Sequence, residues 1–293
     1  MTKAVTHSGT FHADDVFASV VLQKIFPDLK ITRTRDEKTI AKADIAFDVG
    51  GIYDPVKLRF DHHQVNAPKR SNGIGYASFG LVWKEFGEQY CGSKTIADRI
   101  DQVLAIPIDT ADIGVPIVQT TINGVEPFMV DKIIFQLNPT ALVGHEKGTS
   151  DQCFLEAIDL AKQILDRQII KLQDEQAIQE YLAGKIAEAQ DKRYIVLDKS
   201  IQLKGIPINA PELLYVIYPD AIDGTWGVRA INKPGAEFEV KRPFPKAWAG
   251  LAGEKLAKAS GVTDAVFAHK AGFLAIAQTQ AGAIALVKKV LAS

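Results

Sequence analysis

The sequence predicts an α/β protein built from a larger parallel-sheet N-terminal domain and a smaller α+β C-terminal domain joined by a long helix. Three observations lead there. Short β-rich runs alternate with helical periodicities over the first third of the chain, the pattern of βαβ units. Between about residues 150 and 190 the spacing of apolar residues stays helical with no proline. Beyond that, β-type runs return. With 293 residues there is room for two cores at roughly 100–200 residues each. The expected boundaries are 1–149, a connecting helical segment 150–192, and 193–293.

In order, "KAV" opens a short strand, "THSGTFHADD" is a polar turn, and "VFASVVLQKIF" has apolar residues at helical spacing. "LKITRT" is a second short strand, "DEKTIAKA" a short polar helix, and "DIAFDVGG" a strand of buried type ending at Asp48. Gly50 and Gly51 permit the tight turn that follows. "KLRFDHH" is another strand, and "YASFGLVWKEFGEQY" is an amphipathic helix with Phe79, Val82, Trp83 and Phe86 on one side. "TIADRIDQVLAIPIDTADIG" reads as a helix that breaks near Pro107 and runs into a second acidic turn carrying Asp109 and Asp112.

After the long helix come "RYIVLDKSI", "LLYVIYPD", "WGVRAIN" and "EFEV" as β-type runs. Alternation along "WGVRAI" puts Trp226, Val228 and Ala230 on one face and Gly227 with Arg229 on the other. The basic and aromatic stretch "VKRPFPKAW" leads to the helix "AGLAGEKLAKASG", and one strand and one helix are expected in "AVFAHKAGFLAIAQTQAGAIALVKKVL".

Composition narrows the function classes. Lys plus Arg is 34 and Asp plus Glu is 35, a net charge of −1, so nucleic-acid contact requires a local basic patch. Two cysteines without CxxC spacing give neither a disulfide framework nor a thiolate zinc site. The absence of a long uninterrupted apolar run predicts a soluble cytoplasmic protein with no membrane partner.

The chemistry emerges when polar strand ends are taken together. His7, His12 and Asp14 follow the first strand, Asp48 ends a later one, Asp61, His62 and His63 end another, and Asp109 and Asp112 lie beyond. Parallel strands align their carboxyl ends along one rim, where ligands bind in open α/β sheets. Imidazoles and carboxylates without thiolate suit Mn²⁺ first, with Mg²⁺ or Co²⁺ also fitting, more than structural zinc. Two such ions about 3.5–4 Å apart polarise a phosphoryl oxygen and generate a nucleophile from water at neutral pH.

The ordered set "THSGTFHADD", "TRTRD", "FDVGGIYDP", "RFDHHQ" and "FAHKAGF" resembles the Myg family of DHH-type phosphoesterases over nearly the whole chain. The resemblance implies a DHH-type metal-dependent phosphodiesterase, with 3′-to-5′ exonuclease action on RNA or short oligonucleotides. It also implies that His7, His12 and Asp48 hold one ion, and that Asp14, Asp48, His62 and Asp109 or Asp112 hold the other, with Asp48 bridging. Asp112, in its Asp-x-Gly setting, fits the fourth motif slightly better than Asp109. His63 is left to face the phosphate, as the catalytic residue.

The pattern departs from the family's at His12, which stands where the superfamily has a carboxylate. That exchange removes one negative charge and shifts preference toward nitrogen-tolerant metals. Asp15 reads as a charge at a helix N-terminus. Arg35, Arg229 and His269 are the expected substrate-binding residues. Two alternatives stay open: a small-molecule phosphoesterase or pyrophosphatase, and a catalytically idle metal-binding regulatory protein.

Overall fold

The computed structural model describes residues 1–143, 147–202, 210–236 and 239–293, and of Lys147 only the backbone. The fold is α/β with two five-stranded mixed sheets. The chain divides into two compact units, Met1–Gln173 and Asp174–Ser293. Among the described residues no helix is long and apolar enough to cross a membrane.

In unit 1 the strands are β1 (Lys3–Thr6), β2 (Lys30–Arg33), β3 (Ile45–Phe47), β4 (Tyr53–Asp54) and β5 (Arg59–Phe60). Their order is β2-β1-β3-β5-β4. The first four strands of that order are mutually parallel, and β4 runs antiparallel at the edge against β5. The expected parallel sheet is therefore mixed: only a short turn separates β4 from β5, which allows a hairpin but not a crossover.

Alternation along the strands sends side chains to two cores. Ala4, Ile45, Phe47 and Phe60 pack with Phe17 and Val21 of helix α1 (Ala13–Ile25) and with Phe79 and Val82 of α3 (Ser78–Cys91). Val5 and Ala46 face the other way, against Ile40 of the short helix α2 (Glu37–Lys42).

The helical run after α3 differs from expectation. Helix α4 (Lys94–Ile100) passes through a π turn at Asp101–Ala105 directly into α5 (Ile106–Asp112). Pro107 lies in the first turn of α5, and the widened turn upstream accommodates its ring and missing N–H. Asp109 and Asp112 consequently stand on a helix rather than in a turn. A short helix α6 (Val130–Phe135) follows an irregular segment.

Helix α7 runs unbroken over Lys147–Glu188. Phe154, Ala157, Ala161, Leu165 and Leu172 belong to the core of unit 1, and Leu182 to a core of unit 2. Unit 2 carries β6 (Tyr194–Val196), β7 (Tyr215–Pro219), β8 (Trp226–Ala230), helix α8 (Gly253–Ser260), β9 (Ala265–Ala268), β10 (Leu274–Ala277) and helix α9 (Gln280–Ala292). Its order is β6-β7-β8-β10-β9, parallel only between β6 and β7.

Val228, Ala230, Ala275 and Ala277 pack on Leu286, Val287 and Val290 of α9. The segment read as one last strand is two, because Gly272 at φ +70° turns the chain between "AVFA" and "LAIA". Within "EFEV", Glu237 and Phe238 lie outside the described residues.

Candidate metal centre

Register builds the site. Val5 pairs with Ala46, and Phe47 with Phe60, so the carboxyl ends of β1, β3 and β5 finish level with one another. The next residues are His7, Asp48 and the Asp61-His62-His63 run. Asp48 has φ +53°, a left-handed backbone that aspartate tolerates better than most residues, and Gly51 continues the turn at φ +67°.

Helix α1 begins at this edge and delivers His12, Asp14 and Asp15 from its first turn. Asp15 accepts the His12 backbone N–H at 3.0 Å, and Asp14 Oδ2 accepts the Ser78 N–H, at the start of α3, at 3.2 Å. The end of α5 supplies Asp112.

The side chains converge. His7 Nε2 is 3.0 Å from Asp48 Oδ2 and 3.4 Å from Asp15 Oδ2. His62 Nε2 is 3.2 Å from both Asp48 Oδ1 and Asp112 Oδ2, and 3.9 Å from Asp14 Oδ2. His12 Nδ1 is 3.7 Å from Asp112 Oδ1. Three sets can each hold one cation, with every donor atom within 4.8 Å of the others: His7, His12 and Asp48; His12, Asp14 and Asp112; Asp48, Asp61, His62 and His63.

These groups are close without satisfying one another. Asp14 Oδ1, Asp15 Oδ2, Asp48 Oδ1 and His62 Nε2 are buried with no hydrogen-bond partner, because the short distances lack hydrogen-bond alignment. Burial and the charges of Asp48 and Asp112 push the Asp14 carboxyl well above the ordinary range. Burial takes Asp15 up to about 7 against the pull of His7.

Burial lowers the imidazoles, but carboxylate neighbours outweigh it. His62 is raised to about 10 by Asp112 and Asp48, and His7 is raised by Asp48 and Asp15. Burial works against the Asp48 carboxylate as well, yet His62 and His7 hold it below the usual range. A bound divalent cation would occupy the orphaned donors and supply the positive charge that buried carboxylates require, so the donor set fits a hard or borderline ion.

Of the expected ligands, His7, His12, Asp14, Asp48, His62 and Asp112 meet here. Asp109 does not join them, since its oxygens are taken by Arg70 at 2.7 Å and the Gly80 N–H at 3.0 Å. His63 stands at the rim, its Nδ1 2.6 Å from Asp61 Oδ1 and its side chain 62% exposed. Arg35 is exposed beside the site, its Nη2 3.3 Å from His7 Nδ1 and its Nε donating to the Ser8 carbonyl.

Arg229 and His269 belong to unit 2. Arg229 pairs with Leu274, whose carbonyl accepts the His269 N–H, so the two flank one β10 residue. The "VKRPFPKAW" cations are partly committed to backbone: Lys241 Nζ donates to the Ala210 carbonyl and Arg242 Nη2 to that of Val290.

Sequence reasoning assigned no role to Asp61, which accepts backbone N–H groups from His62 and His63 while holding the His63 ring. Its place in the "DHH" string was the available signal. Arg70 and Ser150 were also passed over. Ser150 accepts from the buried Arg33, which also donates to the Gly9 carbonyl of the first turn.

Comparison with known proteins agrees with the shared pattern. A family model, MYG1_exonuc, described as an uncharacterised protein family (UPF0160), matches residues 3–291. The MYG1 protein of Schizosaccharomyces pombe is 28% identical over 325 residues, covering 99% of this chain and 98% of that protein. The human MYG1 exonuclease is 27% identical, covering 98% of this chain and 85% of that protein. A Saccharomyces cerevisiae MYG1 protein is 29% identical over 100% of this chain and 96% of its own length. With a family match from residue 3 to residue 291, the chain belongs to the MYG1 family (UPF0160).

Proposed function

We propose that the protein is a metal-dependent phosphodiesterase acting as a 3′-to-5′ exonuclease on RNA or short oligonucleotides. The observation that carries this reading is the set of orphaned carboxylate and imidazole atoms around Asp48. The human relative's name, MYG1 exonuclease, supports the choice of a nucleic-acid substrate. His7, His12 and Asp48 would hold one divalent ion, and Asp14, Asp48, His62 and Asp112 the other, with Mn²⁺ the favoured metal over Mg²⁺ or Co²⁺. When bound, the ions polarise the phosphoryl oxygen and lower the pKa of the attacking water.

The remaining work falls to the chain's own side chains. Asp61 accepts from His63 Nδ1 at 2.6 Å, which fixes the proton on that nitrogen and leaves Nε2 for the substrate. Placed there, His63 would contact the scissile phosphate and, with its ring protonated, give its Nε2 proton to the leaving oxygen as the P–O bond breaks, taking a proton back from water afterwards. Arg35 adds a cation at the same edge. Arg229 and His269 offer a guanidinium and an imidazole on one face of the unit 2 sheet, and we assign them to strand binding.

His63→Ala should then lower kcat by roughly 10²-fold or more, because it loses an interaction that strengthens in the transition state. Arg229→Ala and His269→Ala should chiefly raise KM for oligonucleotides.

The test incubates Mn²⁺-loaded protein with 5′-labelled single-stranded RNA, single-stranded DNA, dinucleotides and pyrophosphate in parallel. A ladder of 5′-labelled RNA products shortened from the 3′ end, with cleavage of dinucleotides, is expected. Hydrolysis of pyrophosphate alone would establish the small-phosphoester alternative. No hydrolysis with metal bound would leave a regulatory metal-binding protein.

A further inference from the structure

Beside the metal-ligand cluster, unit 1 contains an open cavity of about 270 Å³ with two chemically different walls. His12 and Asp112 form the wall shared with the cluster, and Ile108, Phe128 and Phe135 line the apolar side. The Phe135 ring is nearly parallel to that of His12, at 9° and a centroid separation of 6.5 Å. Phe128 and Phe135 are 64% and 49% exposed. Large aromatic rings left open around a concavity that adjoins a polar site mark a ligand surface rather than core.

The cavity's chemistry restricts its occupant. Below the roughly 300–1,000 Å³ typical of drug-sized pockets, it takes one small group rather than a chain of them. Asp112 and Asp131 both line it, and the lysine of the lining, Lys132, has its Nζ paired with Glu126 at 2.7 Å, so the cavity disfavours an anion such as a second phosphate. A flat, uncharged ring between aromatic side chains fits, and a group covalently linked to that ring must reach the neighbouring ligand set.

We propose that the cavity receives the base of the terminal nucleotide while its 5′-phosphate lies at the metal-ligand cluster, with Phe128 and Phe135 as the stacking residues. The assignment rests on the phosphodiesterase reading of the cluster. It makes the enzyme sensitive to the presence of a base and tolerant of which base, because every base presents a π face.

The test has a binding arm and a kinetic arm. Calorimetry with the Mn²⁺-loaded protein compares adenosine 5′-monophosphate, uridine 5′-monophosphate and ribose 5-phosphate. The kinetic arm compares kcat/KM for a dinucleotide with that for the same dinucleotide abasic at its 3′ residue. Wild type should bind both nucleotides about tenfold or more tightly than ribose 5-phosphate, and prefer the base-bearing dinucleotide by a similar factor.

Phe135→Leu and Phe128→Leu should each shrink both preferences, whereas Phe135→Tyr should keep them. Equal affinity of the wild type for nucleotide and ribose 5-phosphate overturns the proposal, as do Leu variants that retain the preference. A protein that cleaves no dinucleotide yet binds the nucleotides selectively keeps the base pocket and sinks the nuclease reading.

Discussion

Asp109 and Asp112 stand on the same short helix, α5, and their surroundings are opposite in kind. Asp109 is fully buried among built-in partners. Arg70 Nη2 donates to it at 2.7 Å and the Gly80 N–H at 3.0 Å, while Arg70 also grips Asp101 and stacks over Tyr76. Gly80 is required there because a Cβ would lie on top of Asp109 Oδ2. Asp112 faces His12 and His62 across distances of 3.7 and 3.2 Å, in a cluster whose inner atoms have no hydrogen-bond partner.

One buried carboxylate thus has a guanidinium and a backbone N–H as partners within the fold, whereas the other group of carboxylates, offset in part by His7 and His62, keeps donor atoms that could hold a cation. Breaking the first arrangement leaves a buried group unpaired, even though burial already raises Asp109 to about 7 against the pull of Arg70, and the second offers donors that could hold a cation.

The largest effect that tests this contrast is Arg70→Met. Removing one partner leaves Asp109 and Asp101 without their cation and should cost about 3–5 kcal/mol, measured by chemical denaturation. Metal bound per folded chain should not change. A variant as stable as the wild type would show that the Arg70 network is not what neutralises Asp109.

The pH dependence comes next. Folding raises Asp15 from 3.8 to about 7 and His62 from 6.5 to about 10, so the folded state binds more protons than the unfolded one. Stability from Asp15 is present below 3.8 and fades toward 7, and that from His62 is present below 6.5 and fades toward 10. Asp48 acts in the opposite sense, since its depressed carboxyl contributes stability only above the ordinary carboxylate range and loses it in acid. The melting temperature of metal-free protein should therefore fall as pH rises from 6.5 toward 10. Saturating Mn²⁺ should counter that fall, because metal binds the deprotonated ligands. A metal-free melting temperature that rises over this interval would contradict the electrostatics given for the cluster.

Asp14→Asn should have a smaller effect of opposite sign to Arg70→Met. It replaces a buried carboxyl whose ionisation burial, Asp48 and Asp112 all oppose, and should stabilise metal-free protein by about 1 kcal/mol at high pH while weakening Mn²⁺ binding. Loss of stability in the metal-free form would mean that Asp14 is a structural group like Asp109. The smallest effect is expected from His12→Asp, which should retain metal and change the ratio of Mn²⁺- to Mg²⁺-supported activity about severalfold. An unchanged ratio would count against His12 as a ligand.

The contrast also explains what could be read from sequence. His7, Asp48 and His62 were legible as strand-end residues, since parallel strands bring their ends together, while their division into ligand sets came from the family resemblance. The Asp-x-Gly setting favoured Asp112 over Asp109 only slightly, because what holds Asp109 apart is not local. Arg70 comes from a loop far upstream of α5, and no periodicity along α5 announces it.

The π turn at Asp101–Ala105 was equally hidden, since a proline in a helical pattern signals a break far more often than a widened turn. The long helix α7 was legible from spacing alone, whereas "FLAIA" carries apolar residues in a pattern that suits strand and helix alike until Gly272 is seen to turn the chain. Phe128 and Phe135 gave no signal in sequence, because their interest lies in being left exposed.

The most direct measurement is the equilibrium metal content of wild type and Asp48→Ala, by calorimetric titration with Mn²⁺ followed by elemental analysis, with a denaturation curve to show that both chains are folded. Asp48 contacts both His7 and His62, and so joins the two halves of the cluster. The wild type should bind about two Mn²⁺ per chain, and the folded variant should lose both ions. A wild type that binds no Mn²⁺, or an Asp48→Ala protein that binds it as the wild type does, would contradict a metal centre built on Asp48.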